Sequence, residues 1–305
     1  MLEWVDPNLL TDLRCDTDLI VTCDYSGQHK EASHESYSFL VAAKSFTWLW
    51  DELRKDTRKK ILRDGRRMSF KSLNDIRRKQ ALVPLLRSAN TIPGLLFTIV
   101  VDKQIGSLFK KEIGSTAEPA ELLNWHSETL ERFLRMSHFG SILLSGLSAP
   151  GQNVIWLTDE DDIVANPQRI IDGTKAIANI ASHYMSHDLG HFRYGSTQSD
   201  DGSFFIEDIA AIPDLAAGAL NEIACKGLMP RGQGLTIPLS AGLSEKSRCI
   251  AGWIADGELH TLKRIVMVMN AGEKGSIWTR VITLRTEKPI REYMWHEDFH
   301  RIVRR

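Results

Sequence analysis

Leu95-Leu96-Phe97-Thr98-Ile99-Val100-Val101 is the stretch that most limits how this chain can fold: seven residues, β-rich, with no charge among them. Val, Ile, Thr and Phe suit a pleated surface. A strand apolar at every position has to be covered on both faces. The neighbouring sequence supplies the cover. Apolar residues at helical spacing predict helices over 46–62, 73–89, 119–144 and 166–186, and a further one from Pro213 to near Lys226. Between them lie more strand candidates: 18–23, 37–43 and 153–158, with shorter ones at 68–71 and 204–206. The first two are joined by a hydrophilic connection and predict an antiparallel hairpin. The polar stretch 187–202 reads as a surface loop. The expected class is α/β, a mixed sheet flanked by helices.

Beyond Gly227 the character shifts, with a Gly/Pro-rich tract from Pro230 to Pro238. The reading is a main domain over 1–228 and a small α+β appendage over 229–305, made of a linker, a helix over 245–255 and a hairpin around Asn270-Ala271-Gly272. A formal net charge of -1 neither demands nor excludes a nucleic-acid partner, since a basic face can hide inside a neutral total. The cysteines Cys15, Cys23, Cys225 and Cys249 are far apart and form no CxxC pair, as in a reduced, intracellular protein. Glu3, Asp6 and Asp12 stand where a signal peptide needs basic and then apolar residues. No apolar run approaches the roughly 18 residues of a membrane span. A soluble, cytoplasmic protein with no membrane partner is expected.

Chemistry is concentrated in acids at strand ends. In Asp18-Leu19-Ile20-Val21-Thr22-Cys23-Asp24-Tyr25-Ser26-Gly27 an apolar run ends in a carboxylate and a turn. Asp102 closes the Leu95–Val101 strand, and Asp159 closes the strand before it with Asp161 close by. Glu207, Asp208 and Asp214 stand at or near the start of a later helix. Ligands of open α/β sheets bind outside the carboxyl ends of strands. Carboxylates gathered there repel one another unless a divalent cation neutralises them, and hard oxygen ligands favour Mg²⁺ or Mn²⁺. Each acid also has an ordinary use. Asp24 can form an Asx turn, Asp102 can pair with a base, Asp159 can cap a helix, and Asp214 beside Pro213 is a favoured first-turn acid.

Three of these motifs carry a resemblance. Asp24-Tyr25-Ser26-Gly27, the strand ending at Asp159, and Asp208-Ile209-Ala210-Ala211-Ile212-Pro213-Asp214-Leu215-Ala216-Ala217-Gly218 resemble the "domain of unknown function 3800" family over residues 18 to 226. The resemblance implies a ribonuclease-H-like fold whose acids hold two metal ions. Tyr25 stands where the family usually has Glu, and Pro213 where it usually has Ala.

Other signals are weaker. His183, His187 and His191 recur every fourth residue, as do His296 and His300, a spacing that also suits helix ends. There is no Gly-x-Ser-x-Gly elbow and no phosphate-binding glycine loop. A basic region runs from Arg54 to Lys79, in which Arg66, Arg67, Lys71, Arg77 and Arg78 are candidates for phosphate contact, with acids interspersed. The expectation is a metal-dependent nuclease acting on RNA or DNA, in a bacterial defence or mobile-element setting, with a protein partner or second copy possible. Asp24, Asp159 and Asp214 are expected as direct ligands, Asp102 or Asp208 as the fourth, and Lys103 as a phosphate contact. The competing reading is a ribonuclease-H-like binding or scaffold subunit without turnover; a phosphotransferase or phosphatase acting on a small nucleotide is a third.

Overall fold

The computed structural model describes residues 10–109, 122, 125–160, 162–229, 234–237, 242–256 and 260–286. The chain opens with the hairpin of β1 (Asp18–Ser26) and β2 (His34–Ala43), then α1 (Trp48–Lys60), α2 (Ile76–Ala89) and β3 (Gly94–Asp102). Next come α3 (Ser127–Leu147), β4 (Asn153–Thr158), α4 (Pro167–Tyr184), β5 (Phe192–Ser196) and α5 (Phe205–Cys225). The last elements are β6 (Gly234–Ile237), α6 (Glu245–Ile254), β7 (Leu262–Ala271) and β8 (Ile277–Thr286). Seven strands form a mixed sheet in the order β5-β4-β1-β2-β3-β7-β8, and the short β6 lies parallel to β8 at its outer edge. β1, β2 and β3 are an antiparallel meander, while β4 is parallel to β1 and β5 to β4.

Strand side chains alternate between two cores. Leu19, Val21, Phe39, Val41, Leu95, Phe97, Val154 and Trp156 point to the side covered by α3 and α4. Ile20, Leu40, Leu96, Val100 and Leu157 point to the side covered by α1, α2, α5 and α6. The double cover demanded by the charge-free strand is therefore present.

The expected boundary at residue 228 is no break in the sheet. β7 pairs with β3 in parallel from Gly94↔Leu262 to Val101↔Met269, and Trp253 of α6 is buried in the α5-side core. Smaller differences have physical reasons. The 187–202 stretch contains β5, a five-residue edge strand whose Arg193 and Gly195 hide its pattern. Residues 204–206 are not a strand; they open α5, and of 68–71 the first two are irregular and the last two begin a turn.

Pro213 does not start α5 but lies within it. Its missing N–H would orphan the carbonyl of Ile209. The Thr22 hydroxyl, buried on β1, donates to that oxygen at 3.4 Å, so the sheet supplies the donor that the helix lacks. No helix among the described residues is long and apolar enough to cross a membrane.

Candidate acid site at the strand ends

The last registered pair of β1 and β4 is Cys23↔Thr158, so Asp24 and Asp159 follow side by side. Parity puts Asp24 on the face of Ile20 and Thr22, and Asp159 on the face of Ile155 and Leu157, the side on which α5 lies. α5 crosses that face and brings Asp214 beside Asp24, close enough for the two carboxyls to act strongly on each other. Burial pushes Asp24 well above the usual carboxylate range, and the charges of Asp214 and Asp159 push it further. Asp214 is also raised, chiefly by burial and then by Asp159, against the opposing effects of Asp24, the Phe70 amide and the charge of Lys71. Both side chains keep part of their surface open to solvent.

Asp214 is held from a second direction. The Phe70 backbone N–H donates to its Oδ2 at 2.6 Å. Phe70 reaches α5 because residue 218 has no side chain: a Cβ there would stand 2.2 Å from the Phe70 Cγ. Lys246 of α6 closes the clamp, its Nζ donating to the Phe70 carbonyl at 2.8 Å and lying 4.1 Å from the ring centre. Lys246 was not a sequence candidate. It belongs to a segment expected as an appendage, and no local pattern links it to Asp214.

Glu207 lies two helical turns before Asp214 on the same side of α5. Burial raises its pKa, and Asp200, Asp159 and Glu160 add to this while Arg67 opposes it. Arg67 Nη2 is 2.7 Å from Glu207 and its Nη1 3.5 Å from Glu160, so one guanidinium ties the β4 end to the α5 start. The carboxylate of Asp200, which the sequence reading did not single out, accepts the amides of Phe204, Ile206 and Glu207. These bonds satisfy the donors of the α5 N-terminus and hold Phe204 in the left-handed region at φ 60°, uncommon for a residue with a large side chain.

Other expected residues stand elsewhere. Asp208 is buried and accepts both Nε and Nη2 of Arg58 at 2.6 Å, with Arg54 Nη1 at 3.2 Å, so its oxygens are engaged by guanidinium groups and not turned to Asp214. Asp102 accepts the Gln104 amide at 2.9 Å. By register it is four residues beyond Thr98, the β3 residue level with Asp24, and two strands away, about 16 Å from strand spacing and rise. Lys103 donates to the His29 carbonyl at 2.7 Å, on the Asp102 side. His183 has the Asn179 carbonyl 2.7 Å from its Nδ1, and His187 has Ser148 Oγ 3.1 Å from its Nε2; these local partners do not form a ladder. Asp161, His296 and His300 lie outside the described residues.

Tyr25 points to the opposite side of the sheet from Asp24. It packs against Tyr37, with ring centres 6.1 Å apart, and under the Arg132 guanidinium. The Tyr25 side chain therefore lies on the face opposite the acid pair, while its backbone N–H donates to Asp24 Oδ1 at 2.7 Å.

Most of the expected basic face is already paired. Arg66 holds Asp64 and Asp75. Arg77 holds Asp64 at 2.9 Å, and Arg78 donates to the Arg67 carbonyl at 2.7 Å. Lys71 is exposed beside Phe70 and acts electrostatically on Asp214.

Among the described residues, no group of three or more His, Cys, Asp or Glu side chains is gathered tightly enough to enclose a metal ion. Asp24 and Asp214 lie side by side and Asp159 acts on both through space. That donor set fits a small hard cation, which takes one or two carboxylates and keeps several waters. No known protein-family model matches the chain. No curated protein matches it either.

Proposed function

We propose that this chain is a ribonuclease-H-like, divalent-cation-dependent nuclease that hydrolyses phosphodiester bonds of RNA or DNA. The observation that carries this reading is the close approach of Asp24 to Asp214 beside Asp159. Burying acids together is costly, and among the described residues no arginine pairs with these two as Arg54 and Arg58 pair with Asp208. A divalent cation meets that demand. Mg²⁺ or Mn²⁺ bound there supplies Lewis acidity toward a phosphoryl oxygen and makes water a nucleophile at neutral pH. Asp24 and Asp214 would hold the ion, with Asp159 as the third acid. The Phe70 amide holds Asp214 by its Oδ2, and Glu207 extends the acidic surface toward Glu160. The meander β1-β2-β3 continued by parallel β4 and β5, with acids at the ends of β1 and β4, supports the motif resemblance to the domain of unknown function 3800 family. So does the position of Tyr25, because the departure at that residue removes no ligand.

The test is cleavage of a panel of single-stranded, duplex and hybrid RNA and DNA with Mn²⁺ or Mg²⁺, for wild type and Asp24→Asn. Cleavage by wild type that disappears in the variant and in EDTA supports the reading; equal behaviour of the two proteins defeats it. The pairing of Arg66, Arg67 and Arg77 with acids favours a second reading, a scaffold subunit of the same fold without turnover. Mn²⁺ binding without cleavage of any substrate in the panel would select it.

A further inference from the structure

We infer that Lys71, Lys246 and Lys79 form the track that receives a nucleic-acid backbone beside the acid pair, so that of the basic region the sequence suggests the lysines and not the arginines serve, joined by Lys246 from α6. The inference rests on the nuclease reading of Asp24 and Asp214 and assigns the side from which the substrate approaches. The three lysines come from separate elements. Lys71 follows Phe70, whose amide is bonded to Asp214. Lys246 at the start of α6 has its Nζ on the Phe70 carbonyl, the peptide that links Phe70 to Lys71. Lys79 of α2 lies 3.6 Å from Glu245, the residue before Lys246, and leaves 42% of its side chain exposed. Lys79 and Lys246 are close enough to repel, and Lys246 and Lys71 are each drawn to Asp214.

The neighbouring acids are largely committed. Glu222 accepts hydrogen bonds from Ser244 and Ser247, and Asp75 is held by Arg66. Glu245 pairs with Lys79 only loosely, at 3.6 Å against 2.9 Å or less for the arginine pairs. Lys79 beside Lys246, with Lys71 on the far side of the Phe70 peptide, raises the local potential, and a phosphate backbone relieves it. The arginines differ. Arg66, Arg67 and Arg77 already hold carboxylates and would have to break those pairs to bind phosphate.

The experiment measures binding of a fluorescein-labelled single-stranded oligonucleotide by anisotropy at several salt concentrations, in EDTA. The protein is the full chain carrying Asp24→Asn, so that nothing is cut. Lys71→Ala and Lys79→Ala change exposed or half-exposed side chains, and Lys246→Met keeps the length that packs on Phe70. Each lysine substitution should lower the slope of log K against log salt by about 0.7 and weaken binding about fivefold near 0.1 M salt. Arg77→Ala, the control, should leave the slope unchanged. Unchanged slopes in both Lys71→Ala and Lys79→Ala overturn the track, as does a loss in Arg77→Ala equal to theirs or no binding by the Asp24→Asn chain. Wild-type cleavage with Mn²⁺ is scored separately. Cleavage with lysine-independent binding sinks the track alone, while lysine-dependent binding without cleavage sinks the nuclease reading and leaves the track standing.

Discussion

Asp24 and Asp208 are both acids surrounded by protein, and their opposite surroundings predict opposite consequences of removing the charge. Burial and the neighbouring acids raise the pKa of the Asp24 carboxyl above the ordinary 3.8. The folded state therefore binds its proton more tightly than the unfolded chain. The resulting stability is fully present below about pH 3.8 and is lost as pH rises through the folded-state pKa. Asp24→Asn should flatten that part of a stability–pH profile measured by urea unfolding without metal, and should be more stable than wild type at neutral pH. A steeper profile, or destabilisation at neutral pH, would contradict the account of the pair. Asp208 is the reverse case, a carboxylate whose removal leaves Arg58 in the interior without its carboxylate, while Arg54 keeps Asp51 at 2.6 Å. Asp208→Ala should cost about 3–5 kcal/mol, since an uncompensated buried charge remains; unfolding within 1 kcal/mol of wild type would show the triad to be dispensable, at about the level of an exposed pair. Asp24 and Asp159 could be singled out in the sequence as acids closing apolar strands, and Asp214 by its motif; what brings them together, the β1–β4 register and the course of α5, is long-range. The sequence could not separate Glu207 from Asp208. Adjacent helical residues face different ways, and only the placement of α1 decides which one meets arginine.

At the scale of elements, α5 is the part on which the site turns. Its sequence looks like a helix beginning at Pro213, because proline favours the first turn. The true start lies eight residues earlier at Phe205, and Thr22 of β1 answers the carbonyl that Pro213 leaves without a partner. That compensation lies across the fold and has no trace in the local pattern. The Phe204-Phe205-Ile206 triplet misled for a similar reason: aromatic and β-branched residues suit strands, yet Asp200 caps them into a helix. Gly218 links α5 to the clamp on Asp214. Gly218→Ala would press a methyl group into the Phe70 ring, and overpacking of this kind costs about 1–3 kcal/mol. The expected signature beyond lost stability is faster hydrogen exchange at the Phe70 amide, as its bond to Asp214 is pulled apart. An unchanged exchange rate would mean that the turn shifts as a body and keeps the bond.

For the molecule as a whole, the α/β class was readable from one strand, since a charge-free β3 needs cover on both faces. The division at residue 228 was not readable. A Gly/Pro-rich tract marks a linker in sequence, but strand pairing between β3 and β7 is a long-range choice that composition does not encode. A chain ending at residue 228 would lose β7 from the flank of β3, and Trp253, Ile250 and Leu262 from the core. It should therefore give poorly dispersed amide NMR spectra and no cooperative melt, whereas a sharp transition near that of the full chain would restore the two-domain picture. The β3–β7 pairing also has a bearing on how the protein is made. On the ribosome, β3 emerges long before the strand that will lie against it, so an apolar edge stays bare while α3, α4 and α5 are synthesised. Such an edge recruits other chains. Expression yield should then depend on how soon a nascent-chain chaperone shields that edge, more than on the stability of the finished fold.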